Sequence, residues 1–203
     1  RRAKYIIMDI EGNKTLFIHQ KISGHLLYGK WEWKSVFPEV RLRGNGDWIS
    51  VIPGSLQDDR QNGYIRFMLM LDNGYQLALS DLRRFGKVIL VDDNKVKDLK
   101  EIRDLGPEPL EIDFKKFEKL FEKKRGKLKQ VLMDPAFIAG IGNIYADEIL
   151  WDAGFHPLSR AENLNRKDLN KIFNSTVKIL KKAIKYKGSS VDDYRMPSGK
   201  KGR

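Results

Sequence analysis

The feature that most constrains this chain is a change of hydrophobic period at Gly106-Pro107-Glu108-Pro109. Before it, apolar residues come in short runs bounded by turn residues; after it they recur every three to four positions. Tyr5 to Ile10 reads as a strand, Glu11-Gly12-Asn13-Lys14 as a turn, and Leu16 to His19 as the returning strand. Tyr64 to Leu71 and Tyr75 to Leu79 flank Asp72-Asn73-Gly74, a hairpin signal. Lys87 to Val91 with Asp92-Asp93-Asn94 gives another strand and turn, while Trp31 to Gly63 has poor periodicity and reads as mixed strand and loop. Beyond the switch, Phe114, Phe117, Leu120 and Phe121 share one helical face. Leu128, Val131 and Leu132 mark a second helix stopped near Asp134-Pro135. Ile144 to Trp151 is a third, ended by Gly154 and Pro157. Leu169, Ile172, Phe173, Thr176, Leu180 and Ile184 trace a long fourth. Strands followed by helices predict an α+β chain: residues 1–104 β-rich, 105–187 helical, and 188–203 a tail.

Charge narrows the partners. Lys and Arg number 39 against 27 Asp and Glu, a formal net charge of +12 with a pI near 9.7. From Leu105 onward there are 21 Lys/Arg against 13 Asp/Glu, so the helical part carries +8 of the excess. An anionic partner follows, because neutralising phosphates releases condensed counterions. Ribosomal and membrane-surface proteins share that bias. No apolar run approaches the roughly 18 residues that span a bilayer, and Arg1-Arg2-Ala3-Lys4 leads into a strand with no secretory signal. With no cysteine, disulfides and thiolate metal sites are excluded within these residues. The expectations are a cytoplasmic, monomeric protein without a membrane partner, and a sequence cut at both ends, since it lacks an initial Met and stops within a loop-like stretch.

Chemistry concentrates between Lys127 and Pro157. In Met133 to Glu148 a helix ends, Gly140 and Gly142 bracket Ile141, and Asn143 stands where the next helix begins. Glycines let a phosphate approach bare amides, and the following helix offers unpaired N–H groups at the positive end of its dipole. A dinucleotide fingerprint is excluded, since the turn follows a helix and its third small position is Tyr145. On spacing alone, a helical hairpin whose glycines serve only packing explains the segment equally well.

The wording of the segment separates these readings. Phe137-Ile138-Ala139-Gly140-Ile141-Gly142-Asn143-Ile144-Tyr145-Ala146-Asp147-Glu148, with Ala153-Gly154-Phe155-His156-Pro157, resembles the helix–two-turn–helix of the formamidopyrimidine-DNA glycosylase and endonuclease VIII family, most of all its bacterial formamidopyrimidine members. Arg1-Arg2-Ala3-Lys4-Tyr5, Ile18-His19, Ser23-Gly24, Ser80-Asp81-Leu82-Arg83-Arg84-Phe85-Gly86, Leu105 to Leu110 and Gly188 to Tyr194 match that family in the same order. The likeness spans nearly the whole chain except Trp31 to Gly63, which looks like an expansion. It implies part of an N-terminal β-sandwich over 1–104, a helix–two-turn–helix domain over 105–187 and a truncated lesion-recognition loop over 188–203.

The same resemblance assigns roles. Lys4, by composition a solvated charge, matches a lysine that contacts the DNA backbone beside the lesion and assists the chemistry. His19, otherwise a satisfied core histidine, matches a phosphate contact. Arg83 matches the side chain that fills the gap opposite the orphaned base, and Phe85 the wedge. Physically, a ring pushed between bases and a guanidinium in the vacated stack offset the cost of unstacking; without the resemblance Arg83-Arg84-Phe85 is a charged turn with one buried ring. Ile22 stands where the family has a gap-filling methionine, and is shorter and stiffer. Lys129, Gly142, Asn143 and Tyr145 fall in the DNA-binding segment, with Lys129 and Asn143 as phosphate ligands. Ser189, Ser190 and Tyr194 fall in the lesion loop, where an ordinary linker is the competing reading. Asp147 and Glu148 are not an acid–base pair: neighbours on a helix point about 100° apart, and acids near a helix start have a dipole explanation.

The family's nucleophile is an N-terminal proline assisted by a glutamate, giving a Schiff base and strand cleavage; neither falls within these residues, so this chain alone is expected to be inactive. Its cofactor is zinc, in a four-cysteine finger likewise absent from this sequence. The implied function is base-excision repair of oxidised purines in double-stranded DNA, and of abasic sites, by a bacterial, nucleoid-associated glycosylase and AP lyase. An endonuclease VIII-like preference for oxidised pyrimidines is one alternative. A non-catalytic nucleic-acid binder that reuses the helix–two-turn–helix is another, and Arg83-Phe85 argues against it.

Overall fold

The computed structural model describes residues 1–35, 46–186, 188 and 196–200. Eight strands come first: β1 Ile6–Ile10, β2 Lys14–His19, β3 Gly24–Gly29, β4 Trp31–Ser35, β5 Gly46–Ser50, β6 Ile65–Met70, β7 Gln76–Asp81 and β8 Lys87–Asp92. Helices follow: α1 Lys100–Arg103, α2 Phe114–Phe121, α3 Leu128–Met133, α4 Asn143–Ala153 and α5 Arg166–Lys185. The α+β order expected from the change of period is therefore the observed one. Two compact units result, one of residues 1–16 and 90–186, the other of 17–89 and 187–203. The division between these units falls within β2 and β8.

The strands form sheets β1-β2-β8 and β3-β7-β6 and the two-stranded ribbon β4-β5. The Asp72-Asn73-Gly74 signal is a hairpin turn: Leu71 N–H donates to Tyr75 O at 2.9 Å, and Gly74 has φ +73°. β3 had no clear sequence signal, because Gly-His-Leu-Leu-Tyr-Gly holds no β-branched residue. Pairing supplies it: β3 runs antiparallel to β7, from Gly24 opposite Asp81 to Gly29 opposite Gln76. The poorly periodic 31–63 region resolves into β4, β5 and a 3-10 turn at Arg60–Tyr64. Trp31 is buried with Leu27, Leu56, Ile65 and Ala78. Its indole N–H donates to Asn62 at 2.8 Å, and the Asn62 amide donates to Leu56 O at 2.7 Å, so the buried polar groups are satisfied.

In the helical unit, Phe117, Leu128, Leu132, Ile138, Ala146, Ile149 and Ile172 are fully buried in one cluster. Each helix end has a local cause. Asp113 caps α2 through the Lys116 amide, and Asn165 with Asp168 forms a capping box on α5. Gly154, at φ 78°, closes α4 in the left-handed region. The Gly106-Pro107 punctuation is part of this unit and no free linker. Gly106 N–H donates to Pro135 O and Ala139 N–H to Pro107 O, both at 2.9 Å. A Cβ on Gly106 would lie 2.5 Å from Phe137 O, so only glycine allows the approach.

Candidate nucleic-acid interface

The first constellation starts from a strained turn. Ala3 has φ 52°, rare for a residue with a Cβ, and is buried. Its amide donates to the buried Glu108 carboxylate, and the Arg1 guanidinium lies 3.6 Å from the other oxygen. Arg2 donates to Gly106 O at 3.1 Å. Residues 1–3 are thus fastened to the 106–108 segment, itself bonded to the α3–α4 connection, and Lys4 stands exposed beyond them. The ammonium of Lys4 occupies the space beside Gly142: a Cβ there would be 2.7 Å from Lys4 Nζ. Gly142 is the N-cap of α4, with no side-chain cap bond, and Asn143 is its exposed first residue. An ammonium, the start of an eleven-residue helix and an amide side chain therefore converge, a geometry suited to a phosphate.

The second constellation joins two loops of the other unit. Ile22 is 74% exposed in the loop after β2, and Phe85 is 50% exposed in the loop after β7. The Arg83 guanidinium lies 5.0 Å from the centre of the Phe85 ring. Between the loops sits Asp81, only 1% exposed. It accepts from Ser23 Oγ at 2.5 Å, Arg83 N at 3.2 Å and Gly86 N at 2.6 Å, and Arg83 N also reaches Ser23 Oγ at 3.2 Å. Burial pushes the Asp81 carboxyl up, but the hydrogen bonds from Ser23 and the Gly86, Arg83 and Phe85 amides outweigh it and hold it below its ordinary value. The loop bearing Ile22 is thereby bonded to the loop bearing Arg83 and Phe85.

The remaining site residues vary. His19 is half-buried at the end of β2, its Nδ1 accepting from the Lys21 amide at 2.9 Å, which leaves Nε2 as the ring's donor. Tyr145 packs against the helical core. Lys129 Nζ lies 2.8 Å from Asp147 Oδ2, so its charge is shared with a carboxylate. That pair corrects the dipole explanation of Asp147: α4 has no acidic residue in its first turn, and Asp147 serves Lys129 from the second. Ser189, Ser190 and Tyr194 lie outside the described residues; nearby, residues 196–200 form a turn whose Pro197 O accepts from Tyr28 N at 2.8 Å. Residue-type reasoning missed Asp81 and Glu108, the two buried carboxylates that hold the loops. Their signal is faint: an acid two residues past the short apolar run 77–79, and one between two prolines.

Comparison with known proteins decides the family. Residues 1–88 match the formamidopyrimidine-DNA glycosylase N-terminal domain, and residues 105–195 the formamidopyrimidine-DNA glycosylase H2TH domain. The chain belongs to the formamidopyrimidine-DNA glycosylase family. It is 33% identical over 204 residues to the formamidopyrimidine-DNA glycosylase of Herpetosiphon aurantiacus, covering 100% of this chain and 64% of that protein. With that of Chloroflexus aurantiacus identity is 34%, covering 100% and 63%. Among solved structures it is similar to a complex of the Lactococcus lactis Fpg with DNA containing an abasic site, at 27% identity and a TM-score of 0.76, covering 98% of this chain and 65% of that one. A complex of an L. lactis Fpg mutant with Fapy-dG-containing DNA gives 28% and 0.74, covering 96% and 62%. The chain thus spans just under two thirds of the relatives' length. Among the described residues no helix is long and apolar enough to cross a membrane.

Proposed function

We propose that the complete protein is a bifunctional DNA glycosylase and AP lyase that extrudes oxidised purines, 8-oxoguanine and formamidopyrimidines, from duplex DNA. The observation that carries this reading is the exposed Phe85 ring with the Arg83 guanidinium 5.0 Å from it, on a loop bonded to the one bearing Ile22. A protein that only holds phosphates has no use for an aromatic wedge and a cation at its side, whereas base flipping needs both. The solved relatives bound to Fapy-dG and abasic DNA support the substrate class.

The roles proposed for the site residues come from the resemblance, and their positions support them. Lys4, Gly142, Asn143 and Lys129 hold backbone phosphates, Lys4 beside the lesion, with His19 a further phosphate contact and Tyr145 supporting the turn. Phe85 wedges the stack, and Arg83 and Ile22 occupy the vacated space. Ser189, Ser190 and Tyr194 belong to the lesion loop of 188–203, residues 105–187 form the DNA-binding domain, and 1–104 contribute to the β-sandwich. The attacking amine is the N-terminal proline that the resemblance assigns, outside these 203 residues. This sequence holds no cysteine, and the described residues hold no cluster of three potential ligands, so no donor set among the described residues fits zinc. A zinc finger belongs to the proposal only as part of the complete protein, which on this reading acts at the bacterial nucleoid.

Borohydride trapping tests this reading. The protein expressed from its complete reading frame, incubated with a duplex carrying 8-oxoguanine opposite cytosine, is expected to give a covalent adduct and a nicked strand. Trapping only on an oxidised pyrimidine would transfer the activity to the endonuclease VIII class; no adduct with any oxidised base would remove the glycosylase assignment.

A further inference from the structure

A wedge acts only if its mount is stiffer than the stack it opens, and unstacking costs a few kcal/mol. Ile22, Arg83 and Phe85 all stand on irregular backbone, where that stiffness has to come from specific bonds. Asp81 supplies them. As the last residue of β7 it lies opposite Gly24, the first of β3, so its side chain sits where both loops leave the sheet. One carboxylate oxygen takes the Ser23 hydroxyl and the Arg83 amide, the other the Gly86 amide. The Ser23 hydroxyl is within reach of the Arg83 amide as well, so each loop is bonded to the other as well as to the carboxylate. The fit is close at Gly86, where a Cβ would be 3.1 Å from Asp81 Oδ2 and 3.2 Å from Leu79 Cδ2. Within this tether Arg84 is held at φ 57° while its neighbours Arg83 and Phe85 meet.

Apolar packing could have closed this corner, since a buried carboxylate carries a desolvation cost that a hydrophobic side chain does not. A carboxylate adds directional bonds to the backbone of two loops at once. We propose that Asp81 and Ser23 are positioning residues: a latch that joins loops 20–23 and 82–86 into one body and so sets the spacing of Ile22, Arg83 and Phe85 for base extrusion. The inference rests on the glycosylase reading and adds to it residues that act through the wedge without touching DNA. Because the Asp81 carboxyl is held below its ordinary value, the latch is closed at neutral pH.

The test uses the protein from its complete reading frame and a duplex with 8-oxoguanine beside 2-aminopurine, whose fluorescence reports unstacking. Ser23→Ala removes one hydroxyl at a loop edge and leaves the apolar core untouched. It is expected to slow the fluorescence step and single-turnover excision about tenfold, the size of one charge-assisted hydrogen bond, with duplex affinity within about twofold. Ser23→Thr, which keeps the hydroxyl, restores the rate. On an Arg83→Ala background Ser23→Ala costs less than it does alone, because both act through one device. Asp81→Asn slows extrusion further where it folds; where it does not, the Ser23 variants alone decide. Unchanged extrusion in Ser23→Ala, or a loss that simply adds to that of Arg83→Ala, overturns the latch while an active wild type leaves the glycosylase reading standing. A wild type that neither excises nor traps removes both.

Discussion

The two constellations differ in what they leave in solvent. Around α4, an apolar core with Leu132, Ile138 and Ile149 buried positions bare backbone, the buried Glu108 carboxylate fastens the turn before Lys4, and the functional surface is glycine, amide and ammonium. At the 82–86 loop the arrangement is inverted. There a buried carboxylate positions exposed apolar and cationic side chains, with Phe85 and Ile22 in solvent and Asp81 inside. On the proposed function, the difference matches what each has to meet. A phosphate is bound by N–H groups and positive charge, which need bare backbone and tolerate a soft lysine. A base stack is opened by a rigid hydrophobic body, so the polar groups go inward to stiffen the loop.

The largest expected effect separates the two supports. Leu132→Ala empties a fully buried position in α3 and should cost about 2–5 kcal/mol of unfolding free energy. The fall in Tm is to be measured by calorimetry, with amide exchange followed at Gly86 and Arg83. If the supports are distinct, exchange protection in α3 and α4 drops well before that of the 82–86 loop. A parallel loss at both would show one shared support and erase the contrast.

A smaller effect probes the phosphate side. Asn143→Ala removes an exposed amide at the first turn of α4 and should weaken duplex binding about three- to tenfold, with little dependence on sequence. Gly142→Ala places a methyl 2.7 Å from the present position of Lys4 Nζ. The lysine can swing aside, so the fold survives, but a displaced ammonium lowers the salt slope of binding by about one phosphate. The extrusion proposed for Phe85 should proceed at the wild-type rate once DNA is saturating. Unchanged affinity in both variants would reduce the turn to a packing device.

Much of this was legible in the sequence, because periodicity reports which face is buried. Phe114 to Phe121 and Leu169 to Ile184 announced their helices, and Asp72-Asn73-Gly74 its hairpin. β3 was not legible, since its strand character comes from β7 across the sheet and not from its own glycine-bounded residues. Arg83-Arg84-Phe85 was readable as a motif, but the support of its loop was not. Asp81 lies 58 residues from Ser23, and Glu108 lies 105 from Ala3; no local pattern joins them. Asp147 was misplaced for the same reason, its partner Lys129 being 18 residues away on another helix.

The smallest expected effect asks whether a carboxylate that gathers backbone amides needs burial to matter. Glu162, in the helical unit, does at the surface part of what Asp81 does inside. It takes its own amide and that of Gly126, the latter at 2.9 Å, and pairs with Arg160 at 2.7 Å, so its carboxyl is lowered to about 2. In the unfolded chain it titrates near 4.5. A depressed carboxyl contributes stability that is full above the unfolded value and is lost as pH falls toward 2. Glu162→Gln should therefore flatten the stability profile of the helical unit slightly between those values and leave it unchanged at pH 7 relative to pH 6, measured as Tm against pH. Solvent screens this exposed group, so the change should be small. Asp81 gives the buried comparison: its hydrogen bonds hold the carboxyl below its ordinary 3.8 against the opposing effect of burial, so Asp81→Asn should remove a pH dependence below that value. A Glu162→Gln profile identical to the wild type, beside a changed Asp81→Asn profile, would mean that such a carboxylate needs burial to matter.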